Sequence, residues 1–152
     1  MQFSGSVEID ADREAVWQFV IDPTRVGSCG PGVESVEVVD DTHFKATAKV
    51  GVGFISARFK IDLELVDTEE PIRAVIKARG QAPGNAVDAL GTMHLTGPPD
   101  GPTTMAYVAE VNVMGTMASV GARLMDSTAN KMIGQTFECM KAKLEGERSL
   151  TA

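Results

Sequence analysis

Few residues in this chain combine the side-chain types and the spacing that chemistry needs. The two histidines, His43 and His94, fall where the apolar–polar alternation points outward or a strand ends. Neither belongs to an HxxxH or HExxH pair, and no CxxC is present, so no metal site is expected. Ser28, between Gly27 and Cys29, is not the serine of a GxSxG elbow. Cys29 lies in a turn and has a nucleophile's side chain, but no histidine can be placed beside it. The glycines at 27, 30 and 32 follow a short helix rather than a strand, which argues against a phosphate loop. Most carboxylates take outward strand positions, leaving Asp22 and Asp88 as the acidic candidates for another role. Catalytic residues are therefore not assigned, and the chain is expected not to be an enzyme. Cys29 and Cys139 are expected to be free thiols, as in cytoplasmic chains; a disulfide between them is the other reading.

Composition narrows the partners. At 152 residues the chain is one domain, with 43 % hydrophobic and 23 % charged residues, a globular balance. The formal charge of −7 removes the basic surface that nucleic-acid binding requires. Charge alone would also not hold the protein on an anionic membrane, so any membrane contact must be apolar or partner-assisted. No apolar run reaches the ~18 residues that would span a bilayer, and the N-terminus lacks a signal layout. A cytoplasmic location, peripheral to the inner face of the cell membrane, is expected.

The elements that must position a site follow from periodicity. Phe3 to Ile9 alternates as a half-buried strand, and Asp10 or Asp12 can cap a short helix through Val20. Asp22-Pro23 ends that helix. From Val33 the period is two almost throughout, in segments such as Phe44–Val50, Ala57–Leu65 and Met105–Val113. One clean apolar face per strand marks an antiparallel sheet. After Gly115 the apolar spacing turns helical, from Met117 and Val120 to Met140 and Leu144. The expected fold is α+β: a curved antiparallel sheet of about six to seven strands wrapped around a long C-terminal helix, with two short helices after the first strand. Residues 1–146 form the predicted domain and 147–152 a short tail or the remnant of a truncated extension.

The inward positions are unusually small. Ala46, Ala48, Ala57, Ala74, Ala78, Ala89, Gly91 and Ala109 stand where a filled core would carry Leu, Ile or Phe. Gly115, Ala118, Gly121, Ala122, Ala129 and Gly134 add more small positions on the helix side. Interiors pack to crystal-like density, so small residues on both facing surfaces mean close approach or enclosed space, and a curved sheet cannot approach a straight helix everywhere. The walls of the expected cavity are Phe44, Ala48, Val50, Phe59, Ile61, Ile76, Met93, Met105, Tyr107, Met117, Gly121, Leu124 and Met125. Its methionines give a flexible, polarizable lining. Val52, Phe54, Ile55 and Met114 are placed at its entrance. The segment Gly51-Val52-Gly53-Phe54-Ile55 is an apolar hairpin tip where polar residues are usual. Either it contacts a membrane or protein, or Val52 or Phe54 folds back over the mouth.

These residues are similar to those of the carbon monoxide dehydrogenase CoxG family, in the helix-grip superfamily of START and Bet v 1-like domains. The resemblance rests on Phe3-Ser4-Gly5, Val16-Trp17, Asp22-Pro23 and Cys29-Gly30-Pro31-Gly32. It continues through Phe44-Lys45-Ala46-Thr47-Ala48-Lys49-Val50-Gly51-Val52-Gly53, Thr104 to Tyr107, and Gly115 with Arg123-Leu124-Met125. It implies a non-catalytic accessory of a molybdenum-dependent carbon monoxide dehydrogenase that makes transient contact with the membrane. The implied ligand is a lipophilic quinone, menaquinone first and another prenylquinone second. Tyr107 is the candidate donor to a quinone carbonyl, or else a core aromatic whose hydroxyl reaches water. Met114 stands where relatives tend to have glycine. Longer members carry a C-terminal extension that could attach to the membrane; Ser149 to Ala152 are either a naturally short end or the stub of such an extension, and no attachment is assigned to them. Two rivals remain: a cyclase- or hydrolase-type enzyme of the same fold using Asp22, Cys29, His94 or Tyr107, and a docking protein with a filled core.

Overall fold

A computed structural model describes residues 1–151, with side chains through Arg148. The order of elements is β1 (Gln2–Ile9), α1 (Arg13–Val20), α2 (Pro23–Gly27), β2 (Val33–Val38), β3 (His43–Val52), β4 (Ile55–Glu69), β5 (Arg73–Ala82), β6 (Asn85–Thr96), β7 (Thr103–Gly115), a 3-10 turn (Thr116–Val120) and α3 (Ala122–Thr151). The seven strands form one antiparallel sheet in the order β1-β7-β6-β5-β4-β3-β2. This is the expected helix grip, with both short helices after β1.

Alternation along the strands becomes rows across the sheet. On the concave side Val7 faces Met105, Met105 faces Leu95, and Tyr107 faces both Gly5 and Met93. Ala74 then faces Met93, Ile76 faces Gly91, and Ala48 faces Phe59. An irregularity between Leu65 and Asp67 leaves Val66 half exposed and keeps Leu65 on the inner face opposite Ile76. The tips agree with their residues. Val52 pairs with Ile55 across a two-residue loop whose first residue, Gly53, has φ 63°, as a II′ hairpin turn requires.

Asp22 does not merely stop α1. Its side chain accepts hydrogen bonds from the Thr24 and Arg25 amides at 3.0 and 3.3 Å and caps α2, where Pro23 takes the first helical position. Asp12 occupies the N-cap of α1 but makes no cap bond; Arg148 approaches both Asp10 and Asp12, at 3.5 and 3.6 Å.

The C-terminal helix departs from the expected roof in one place. The helical spacing of Met117, Val120, Leu124 and Met125 runs across Gly121, yet Gly121 has φ 100° and ψ 152°. That conformation ends the 3-10 turn and starts α3 afresh at Ala122, so Met117 is carried by a separate turn. α3 runs through position 146 to Thr151.

Two buried clusters pin the layers together. Ile9, Val16, Trp17, Phe19, Leu95, Met105, Met140 and Leu144 fill the space where α1 and the end of α3 meet the sheet. Val52, Phe59, Met117 and Met125 gather beneath the β3–β4 tip.

Candidate functional site

Between these clusters the concave face is hollow. A cavity of about 230 Å³ lies under the tip, walled by Val52, Phe59, Val113, Met117 and Met125 among others. A second, of about 490 Å³, sits at mid-sheet between Ala48, Ile76, Met93, Met105, Tyr107 and Phe137. Val50, Ile61 and Met132 line both, so the two chambers adjoin along one slot-shaped hollow between sheet and helix, with these three side chains at their shared wall. Val113 and Met105 mark its ends on β7, and eight residues of strand span about 26 Å. The space follows from the small residues. A Cβ at Gly91 would meet only Ile76 Cγ2, at 3.6 Å. Ala78 is the small residue on the wall of the smaller chamber, as Ala74 and Ala109 are in the larger one, whereas Gly80 is closed over by Ile61 and Phe59.

The lining is almost without polar chemistry. No carboxylate, histidine or cysteine lines either chamber among the described residues. Thr136 satisfies itself by donating to the Met132 carbonyl at 2.8 Å. Tyr107 packs edge-on against Phe137 at 4.7 Å. Its ring crosses Gly5, where a Cβ would stand 3.0 Å from the hydroxyl oxygen. That hydroxyl has no hydrogen-bond partner among the described residues. A polar groove of about 450 Å³ adjoins both chambers, between Gly32, Lys49 and Gly51 on the sheet side and Ser127, Lys131 and Gln135 on α3.

Most residues expected on the wall are there. Val50, Phe59, Ile61, Met117 and Met125 line the smaller chamber, and Ala48, Val50, Ile61, Ile76, Met93, Met105 and Tyr107 the larger. Three do not line it. Phe44 is buried and inward, but two rows beyond Ala48 towards the other end of the strand. Gly121 forms the break before α3 and would meet nothing within 4 Å if given a Cβ. Leu124 is 40 % exposed and packs its Cδ2 3.1 Å from the Cβ position of Gly53.

The entrance residues divide. Val52 turns inward at 2 % exposure and Ile55 packs beside it, so neither is an exposed contact. Phe54 is fully exposed and Met114 is 43 % exposed. The hairpin's alternation decides this, since Val52 shares the face of Val50 and Ala48. Sequence reasoning also missed Met132, Phe137, Gly30, Pro31 and Met1, all of which line the slot. The helical stripe carried a signal for the first two. Nothing local marked the others.

The reactive candidates are engaged elsewhere. Asp22 is the α2 cap, and Asp88 sits 3.7 Å from Arg79 on the outer face. His94 is exposed on the outer face opposite Arg73. His43 lies between Asp40, at 2.9 Å, and Glu64, at 3.4 Å; its bond to Asp40 holds its pKa above the usual value. No group of three or more metal-ligating side chains occurs among the described residues.

The expectation of free thiols is overturned. Cys29 and Cys139 form a disulfide with their Cα atoms 5.4 Å apart, inside the range such a bond requires. The fold lays the connector after α2 against α3, joining positions 110 residues apart that no local spacing could pair.

The sequence matches the family of the carbon monoxide dehydrogenase component CoxG over residues 5–145. No curated protein matches it. Among solved structures, a conserved protein from Geobacillus kaustophilus superposes with a TM-score of 0.87 at 24 % identity, covering 95 % of each chain. A START superfamily protein from Mycobacterium smegmatis gives 0.71 at 14 % identity, covering 95 % of this chain and 97 % of that one. The Zhui aromatase/cyclase from Streptomyces sp. R1128 gives 0.68 at 14 % identity, covering 95 % and 93 %. These identities carry the fold and no more. The match over nearly the whole domain carries the family: the chain belongs to the carbon monoxide dehydrogenase CoxG family.

Proposed function

We propose that the protein is a non-catalytic carrier of a lipophilic ligand, a menaquinone-type quinone, serving a molybdenum-dependent carbon monoxide dehydrogenase at the membrane. The family supports a role beside such a dehydrogenase. The observation that carries the ligand class is the slot itself, apolar along its length, with Tyr107 the one titratable side chain on its walls among the described residues. The larger chamber's 490 Å³ falls within the roughly 300–1,000 Å³ of small-molecule sites. A prenyl tail needs an extended dry channel, and the unpartnered Tyr107 hydroxyl would be the donor to a ring carbonyl. An entrance at the end where Phe54 and Met114 are exposed would let the ligand come from a bilayer. Organic extraction of the purified protein followed by mass spectrometry tests this reading. A stoichiometric prenylquinone is expected. Extracts that stay free of lipid, with no uptake of added menaquinone, would overturn it.

A cyclase-type reading has one observation in its favour: neighbours of this fold include aromatase/cyclases, and Tyr107 faces the larger chamber. Of the four side chains offered for that chemistry, the other three are a helix cap, a disulfide half and an outward histidine. Product formation from a polyketide or ester that Tyr107→Phe abolishes would establish it in place of the carrier.

A further inference from the structure

Two of the three lysines on α3 are engaged: Lys141 bonds Glu145 at 2.8 Å, and Lys143 bonds Ser28 at 2.7 Å. Lys131 is different. Ser127, Thr128, Gly134 and Gln135 occupy the helix positions three and four residues away from it, so no carboxylate is in reach there. It makes no ion pair among the described residues. With Ser127 and Gln135, one turn to either side, it lines the polar groove of about 450 Å³.

The sheet side of that groove is an unfinished edge. β2 begins at Val33 opposite Ala48, and the Lys49 amide donates to the Gly32 carbonyl at 2.9 Å, so residues 50–52 of β3 have no strand beside them. Gly32, at φ 81°, turns the connector so close across this edge that a Cβ on it would stand 2.1 Å from the Lys49 carbonyl oxygen. Val52 and Ile55 close the hairpin as a bonded pair, and bonded pairs alternate along an antiparallel ladder. Gly51 therefore aims its N–H and C=O away from β4, into the gap facing α3. Lys49 borders the groove through its backbone, since its side chain alternates to the outer face opposite Arg58.

The groove thus gathers an ammonium, a hydroxyl, a carboxamide and a free backbone N–H, and no carboxylate lines it. Glu34 is held by Arg58 at 2.6 and 3.1 Å, and Glu138 follows Lys131 by two turns, about 10 Å along the helix. Asp126 precedes Ser127 but lies outside the lining. Apolar walls begin at once. Val50 and Met132 line the groove and both chambers, while Thr128 is shared with the smaller chamber and Pro31 with the larger. A polar seat opening directly on a dry channel has the division of an amphiphile. One ammonium among neutral donors suits a monoanion that presents two oxygens, which is a carboxylate.

We propose that the slot takes a second class of ligand, long-chain carboxylates, with the carboxylate on Lys131, Ser127, Gln135 and the Gly51 N–H and the chain in the chambers. The inference rests on the carrier reading for the hollow that receives the chain. It does not rest on the quinone.

Equilibrium dialysis of delipidated protein against palmitate and against methyl palmitate, which keeps the chain and loses the charge, tests it. Palmitate is expected to bind at one per chain, at least ~5-fold more tightly than the ester. Lys131→Met should weaken palmitate about 5- to 10-fold, the low end for a charge-assisted hydrogen bond because the lysine is exposed, and should leave the ester unchanged. Lys131→Arg should retain palmitate, and Lys77→Met, on the outer face, should change neither ligand. No palmitate binding, equal binding of acid and ester, or palmitate binding indifferent to Lys131→Met would each overturn the proposal. An unchanged melting temperature verifies that the variants fold. Menaquinone is neutral, so its uptake should not respond to Lys131→Met. Menaquinone uptake without palmitate binding would sink this inference and leave the quinone reading standing; Lys131-dependent palmitate binding without menaquinone uptake would do the reverse.

Discussion

Beneath α1, Ile9, Val16, Trp17, Phe19, Leu95 and Leu144 are each no more than 1 % exposed; beneath the β3–β4 tip, Val52, Phe59, Met117 and Met125 stand around a void. The same sheet and the same helix build both ends. What differs is side-chain volume. The packed end receives Trp17 and Phe19 from an added helix, whereas the other end is covered by a 3-10 turn and the start of α3, across from Gly80 and Ala78. Stability is concentrated where the large residues are. The hollow end leaves open the space that large side chains fill at the packed end.

The largest expected effect tests that division directly. Trp17→Ala should cost about 3–5 kcal/mol in urea unfolding, the usual range for deleting a large buried aromatic. Met125→Ala, whose side chain already borders empty space, should stay near the low end of the ~2–5 kcal/mol seen for buried methionine. Equal losses would erase the distinction between the ends. Cys139→Ser comes next. The disulfide ties Cys29, in the packed cluster, to α3. Opening a loop of this length should lower stability by about 2–5 kcal/mol, read as the difference in unfolding midpoint between oxidised protein and variant. No difference would mean that packing alone holds α3 to the α2 connector.

The smallest effect on stability carries the sharpest test of the hollow end. Gly91→Val adds a side chain where only Ile76 Cγ2 lies nearby, and valine suits a strand better than glycine. Unfolding free energy should change by less than ~1 kcal/mol, since nothing is displaced. Extractable lipid should nevertheless fall, because the new methyl groups enter the larger chamber. A large destabilisation would show that Gly91 is packed rather than open.

Alternation legible in the sequence assigned the inward residues of β3 to β7, and the register then sets them in rows such as Val7–Met105–Leu95 and Ala74–Met93–Tyr107. Face is not depth, however. Phe44 and Ala48 have the same parity, and only the register shows that one lies beyond the slot and the other on its wall. Helical spacing failed at Gly121 for a related reason: a period of three and four runs through a residue regardless of its φ, and glycine tolerates φ 100° without announcing it. The disulfide was hidden because its two halves meet only after β2 to β7 have been laid down between them.

The slot also sets how the protein responds to compression. Unfolding under pressure is driven by eliminating internal voids, with volume changes of about −20 to −100 mL/mol for ordinary proteins. A domain of 152 residues with a chamber of about 490 Å³ loses on unfolding whatever part of that space water does not already occupy. Empty, it should be soft and pressure-labile. Filled by an apolar tail it should stiffen, so that occupancy registers as mechanical resistance before any partner is met.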